Sequence, residues 1–321
     1  MDKETKDFSL FKLRSTGAII RDGFQLYMNH FKSIFRSTWT MALIYALVTG
    51  GLMNFFASQL PTYYFTNIAA SSQLPDNSAT GEMLLTQFIF FSVAYTVYTM
   101  FCFLLAAFGF SLMAEHRDTG SITPPLHWYG KCNKTIFIRT LATWFFMLCI
   151  SLVATLGNML IEQLTHYLSS IAHMSLVIGW NIVLACLLIP AMMWLFIYIL
   201  DPQKRRFFDQ PSTLRYWGST FKVTLIVGIV VFLLISITEL PAVILFLATI
   251  MSQTGMLQGD PAGMPDYMSW MNLLVFTLAG FIQAYVALAS QFPFYYLFGS
   301  IETQERERKE AQKNISQTWK Q

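Results

Sequence analysis

The sequence predicts an all-α fold: a polytopic integral membrane helical bundle with six transmembrane helices and amphipathic interfacial helices on the cytoplasmic side. Three observations predict it. Of 321 residues, 55% are hydrophobic, 16% aromatic and only 12% charged, with a mean hydropathy of +0.47. A soluble domain carries about 25% charged residues, so this chain has too little polar surface to coat a water-soluble body. Six stretches, near 37–58, 83–113, 136–162, 175–200, 223–251 and 271–299, meet the roughly 20 apolar residues that a helix needs to cross about 30 Å of hydrocarbon. Finally, all 21 basic residues fall before the first stretch, after the sixth, or around the connections between the second and third and between the fourth and fifth. The alternate connections, near 59–82, 163–174 and 252–270, hold none. Short loops that carry Lys and Arg stay inside, so both termini are expected in the cytoplasm.

The same figures set aside other classes. No stretch alternates with period two, which argues against a β-barrel. Disordered and disulfide-stapled classes do not fit this composition. The formal charge of +3 is the remainder of a one-sided distribution facing anionic headgroups, so nucleic acid is not an expected partner. The first apolar run starts only after about 36 polar or amphipathic residues, unlike a cleavable signal peptide.

Residues 1–36 form the first predicted region, a cytoplasmic and interfacial segment. Ile20, Phe24, Tyr27, Phe31 and Phe35 recur at steps of four, three, four and four, and Arg21, Gln25, Asn29, Lys32 and Arg36 occupy the next stripe at helical steps of four, four, three and four. That is the pattern of an amphipathic helix lying in the membrane interface. Residues 37–300 form the six-helix domain. Its second and fifth stretches are long, which implies tilt, or for the fifth a break at Pro241. A second interfacial helix is expected to start near Pro211 and to carry Leu214, Trp217 and Phe221 on one face beside Arg215 and Lys222; a weaker one runs from Leu126 to Arg139. The chain then reads as three units of an interfacial segment followed by a membrane hairpin. Residues 301–321 form a charged cytoplasmic tail with Glu302–Arg306 and Glu305–Lys309 at helical spacing.

Several segments resemble a known family. These are GFQLYMNHFKSIF from Gly23, TLRYWGSTFKVTLIVG from Thr213 and FYYLFGSIETQERERKE from Phe294. In them the chain resembles the membrane domain associated with glycerophosphodiester phosphodiesterases and its free-standing six-helix relatives in bacteria. The resemblance implies a multi-pass protein of a bacterial cytoplasmic (inner) membrane. It carries over no catalytic residue, and no soluble stretch here is long enough for a catalytic barrel of about 250 residues.

Chemistry-bearing patterns are sparse, and no cofactor, metal or catalytic residue is expected. There is no GxSxG or phosphate-cradling loop. The four cysteines show no CxxC spacing. Glu162, His166 and His173 share a helical face as a weak zinc pattern, more simply read as a solvated cluster. At about 1.5 Å per residue, Glu239 stands about 25 Å beyond Lys222 and Glu162 about 34 Å beyond Arg139. An acid held in hydrocarbon is costly and faces protein or water. Asn54 and Asn158 lie at a depth similar to that of Glu239, so Asn54, Asn158 and Glu239 are the candidate lining of a polar cavity in the outer half of the bundle. Arg21, Lys32, Arg36, Arg215, Trp217 and Lys222 are the candidate interfacial lipid contacts. Ala42, Ala46 and Gly50, and Gly280 with Ala284, form small-residue stripes suited to close helix contact.

The first expectation for function is a non-catalytic, lipid-contacting membrane protein acting as a membrane-embedded partner or accessory subunit of another membrane protein. The alternative is a small transporter or lipid-handling protein with an outward-facing polar cavity.

Overall fold

The structure, a computed structural model, describes residues 10–72, 77–122, 133–165, 170–201, 215–257, 265 and 267–318. Among them every regular element is an α-helix: α1 (Thr16–Asn29), α2 (Phe31–Ser72), α3 (Asn77–Thr119), α4 (Lys134–Thr165), α5 (Ser170–Leu200), α6 (Trp217–Thr238), α7 (Leu240–Leu257) and α8 (Tyr267–Thr318). Six of these helices are long and apolar enough to cross a membrane, over Phe31–Gln59, Ile89–Thr119, Lys134–Ile161, Ala172–Leu200, Trp217–Thr238 and Tyr267–Gln317. They match the six stretches read from hydropathy. The interfacial segment from Leu126 and the helix start at Pro211 lie largely outside the described residues.

The helices outrun a bilayer. At 1.5 Å per residue, the 42 residues of α2, the 43 of α3 and the 52 of α8 measure about 63, 65 and 78 Å, against about 30 Å of hydrocarbon. Hydropathy sees only the apolar window of each helix, not its full length.

The fifth stretch shows a break, placed slightly earlier than expected. α6 stops at Thr238, Glu239 is non-helical and α7 starts at Leu240. Proline at position 241 has no N–H to offer the carbonyl of Ile237, and its ring crowds that carbonyl. Glu239 stands between the two helices. Its N–H bonds Ile235 O at 2.8 Å and its carbonyl accepts the Val243 N–H at 2.9 Å, so it is also the N-cap of α7.

The chain divides into two compact units. The first comprises Met1–Ser37, Ala106–Val230 and Ala289–Gln321. Within it α4 and α5 pair antiparallel. Gly157 lies under the Trp180 indole, where a Cβ would come within 2.5 Å of Cζ2, and Phe146 meets Trp194 at 5.9 Å between ring centroids. α1 lies along α8. A Cβ on Gly23 would stand 2.6 Å from Pro293 Cα and N, so glycine here permits contact between two backbones. Leu26 is 1% exposed, and Tyr27 meets Phe292 edge to face at 5.3 Å. Ser15 caps α1, accepting from Ala18 N–H at 3.4 Å.

Ile19, Gly23, Leu26 and Tyr27 are the buried residues of α1. Of the stripe read from the sequence only Tyr27 is buried; Ile20 and Phe24 are half-buried, and Phe31 and Phe35 are exposed. The helix ends at His30 and a new one starts at Phe31, so the spacing does not run through one continuous helix.

The second unit comprises Thr38–Leu105 and Val231–Leu288, supplied by α2, α3, the end of α6, α7 and the first half of α8. α2 and α8 cross at the small-residue stripes. A Cβ on Gly50 would meet Thr277 Cα at 2.9 Å, and one on Gly280 would meet Ala46 Cα at 3.3 Å. α2 meets α3 through Phe55–Phe90 and Phe56–Phe91, at 4.6 and 5.3 Å. α7 meets α8 through Phe246–Phe276 at 6.4 Å and through Asn272, whose Nδ2 donates to Thr249 Oγ1 at 2.7 Å.

Candidate functional site

The second unit holds a chamber of about 240 Å³. Its walls are built by spacing. On α2, Thr49 and Met53 line the chamber four residues apart, and Tyr45, four residues before Thr49, shares their face without lining it. From Glu239, just before α7, Ala242 and Phe246 follow at steps of three and four; on α8, Phe276, Gly280 and Gln283 follow at steps of four and three. Most of the lining is apolar. Thr49, Glu239 and Gln283 are the polar side chains that line it.

Glu239 reaches the chamber because α6 ends beside it. The side chain is half-buried, and it forms no ion pair among the described residues. Gln283 is held from behind. The Tyr45 hydroxyl, on a residue only 2% exposed, donates to Gln283 Oε1 at 3.0 Å. Tyr98 OH lies 3.3 Å from Tyr45 OH, and since that proton is already given to Gln283, Tyr98 is the donor of the pair. The relay from Tyr98 through Tyr45 occupies the amide oxygen, so the group that Gln283 keeps for a ligand is its Nε2 donor. Glu239, Thr49 and Gln283 thus line an otherwise apolar space, the Thr49 hydroxyl oxygen itself being buried. Such a set orients the head of a ligand while the walls take its apolar body.

A neighbouring cavity of about 340 Å³ shares Thr49 and Met53 and is otherwise walled by residues such as Leu52, Phe56, Phe91 and Tyr98. Met53, unbranched and adaptable, lines both spaces.

Of the candidate cavity residues, Glu239 lines the chamber. Asn54 follows the lining residue Met53 and is half-buried on α2. Asn158 belongs to the first unit, where its Oδ1 stands 3.5 Å from Asn181 Nδ2 on α5. Thr49, Gln283, Tyr45 and Tyr98 were missed by the sequence reading. The available signal was an amide inside the apolar stretch 271–299, one of three there with Asn272 and Gln291, and the i, i+4 pair of Tyr45 and Thr49.

In the first unit the six candidate lipid-contact residues, Arg21, Lys32, Arg36, Arg215, Trp217 and Lys222, are all exposed. Arg21 pairs with Asp22 at 3.1 Å, and Trp217 donates to Cys186 O at 3.3 Å. Other cations of this unit turn inward. Arg139 donates to the carbonyls of Tyr198 and Asp201 at 2.9 and 2.6 Å, and Arg117 donates to that of Leu200. Both satisfy the last carbonyls of α5, where a cation is favoured. Arg14 pairs with Asp22 at 3.2 Å and lies over the Tyr296 ring at 4.5 Å. His116 Nδ1 stands 3.0 Å from the Tyr295 hydroxyl, with the His30 ring 6.2 Å away. Among the described residues no three His, Cys, Asp or Glu side chains are placed to hold a metal; His166 and Cys132, and the side chain of Glu162, lie outside the description.

Comparison with protein-family models, with curated proteins and with solved structures finds no match to this chain.

Proposed function

We propose that this chain is a multi-pass protein of a bacterial cytoplasmic membrane, with six spans and both termini in the cytoplasm, that holds an amphiphilic small molecule or lipid in the chamber at Glu239. One observation carries the reading: an otherwise apolar space lined by one acidic residue, Glu239, and by Gln283, whose amide oxygen accepts from Tyr45 in the Tyr98–Tyr45 pair. A preset donor beside an acceptor recognises a head, and phenylalanine and methionine walls accept a chain. The set is one of recognition, so the protein binds and presents or moves its ligand rather than converting it. The exposed basic and aromatic residues around Lys32, Arg36 and Trp217 then sit against anionic headgroups. A specific feature favours the accessory-subunit reading as well: the last turns of α8, from about Arg306 to Gln317, are charged and exposed, an arm suited to a membrane-protein partner.

Native mass spectrometry after gentle-detergent purification tests the main reading. A retained single-chain amphiphile, lost when Ala242→Phe fills the chamber while the protein still accumulates, supports it. A bare chain in both forms, or a stoichiometric protein partner without any ligand, sinks it. Topology is checked separately with single cysteines in a cysteine-free background. Those at Ser71, Ser169 and Gly259 should react with an impermeant thiol reagent in intact cells, and those at Thr119, Gln203 and Gln312 only after permeabilisation. One inversion breaks the six-span arrangement.

A further inference from the structure

The chamber also selects the charge of its occupant. Resting on the amphiphile-binding reading above, we infer that the ligand is a single-chain organic cation: an ammonium head against the Glu239 carboxylate, with the chain among Met53, Phe246 and Phe276.

The argument begins with what Glu239 lacks. A carboxyl half-buried beside apolar walls needs a proton or a cation to offset the loss of water. No basic side chain is among the residues that line the chamber, and no ion pair to Glu239 occurs among the described residues. The first unit shows the contrast, since Asp22 there is held by Arg14 and Arg21. Glu239 also caps the N-terminus of an 18-residue helix, the end of a helix that favours negative charge. Burial works against a bare carboxylate there, so its charged form calls for a counter-charge, and the missing partner is a cation brought by the ligand.

Size narrows the class. About 240 Å³, beside a cavity of about 340 Å³ that shares Thr49 and Met53, is the scale of a small ligand. That admits a small head and one chain. A phosphate head is disfavoured, because it would bring like charge against Glu239. Gln283, with its oxygen engaged by Tyr45, offers an N–H to any hydroxyl or carbonyl placed beside the ammonium.

The test compares three ten-carbon probes, decylamine, decanol and decanoate, on the full chain in lipid nanodiscs at pH 7. Binding is read by equilibrium dialysis against empty nanodiscs, which removes simple partition into lipid. The inference expects decylamine to bind saturably and at least tenfold more tightly than the other two, with Glu239→Gln lowering it to the level of decanol. Decanol binding as well as decylamine, or Glu239→Gln binding decylamine like the parent, overturns the cationic head but leaves amphiphile binding standing. No saturable probe at all removes both readings. The probe series on the parent protein decides the matter even if Glu239→Gln does not fold.

Discussion

The two units differ in how their charged groups are met. In the first, inward-facing charges close on partners of the same chain: Arg14 on Asp22, Arg117 and Arg139 on the end of α5. In the second, Glu239 has no ion-pair partner among the described residues, while buried polar atoms without a hydrogen bond occur in both units, at Trp180 Nε1 and Gln291 Oε1 of the first and at Asn272 Oδ1 and Gln253 Oε1 of the second. Closed polar groups hold a fold together. A lone acid beside apolar walls is costly, and in the proposed binding a partner from outside offsets that cost. On the proposed reading, closed charges hold the first unit and Glu239 serves recognition in the second.

Mutations can break this comparison, and the largest effects should come from close backbone contacts in either unit. Gly23→Val places side-chain atoms into the Pro293 backbone, and Gly50→Val into that of Thr277. Overpacking costs about 1–3 kcal/mol, and backbone on both sides leaves little room to yield. Each variant should accumulate in the membrane several-fold less than the parent, as read by fluorescence-detected size exclusion. Normal accumulation of either would mean that the crossing is not tight.

Arg139→Gln comes next. It removes a cation from two carbonyls, with hydrogen bonds to charged groups worth about 1.5–3 kcal/mol. Thermal unfolding should move down while the binding of chamber probes to the folded fraction stays unchanged. A loss of binding without a loss of stability would reverse the roles assigned to the units.

Tyr45→Phe should do the opposite. It frees Gln283 Oε1 and breaks the link to Tyr98, at about 1 kcal/mol of stability. The amide is then no longer preset, so probe affinity should fall by a few-fold in the same dialysis assay. Gly17→Ala is the smallest change. Nothing lies within 4 Å of a Cβ there, and alanine favours a helix over glycine by up to about 1 kcal/mol. A slight gain in thermal stability with unaltered binding is expected.

Much of the architecture was legible because hydrophobic length is a direct demand of the bilayer. The small-residue stripes were legible for a similar reason: Ala46 and Gly280 let two backbones approach, and only small side chains do that. Pro241 announced its break through a missing N–H. Other features could not be read. The buried face of α1 depends on Gly23, which carries no hydropathy signal but marks the contact with Pro293. The stripe through Phe31 and Phe35 ignored the turn at His30, which local periodicity does not report. The candidate site was legible only at Glu239, an acid conspicuous in an apolar run. Thr49 and Gln283 are ordinary in sequence and gain meaning from the antiparallel register of α2 and α8. Asn158 matched Glu239 in depth alone, and depth says nothing about which way a side chain faces.

The central claim is that the chamber between α2, α7 and α8 is an occupied binding site. Photolabelling tests it most directly, with a ten-carbon amine carrying a diazirine at its chain end, followed by peptide mapping. The account predicts saturable adducts on Met53, Phe246 and Phe276, displaced by excess decylamine. Adducts confined to exposed apolar residues of α4 and α5, such as Leu152, Leu156 and Ile182, with none in the chamber, would contradict it.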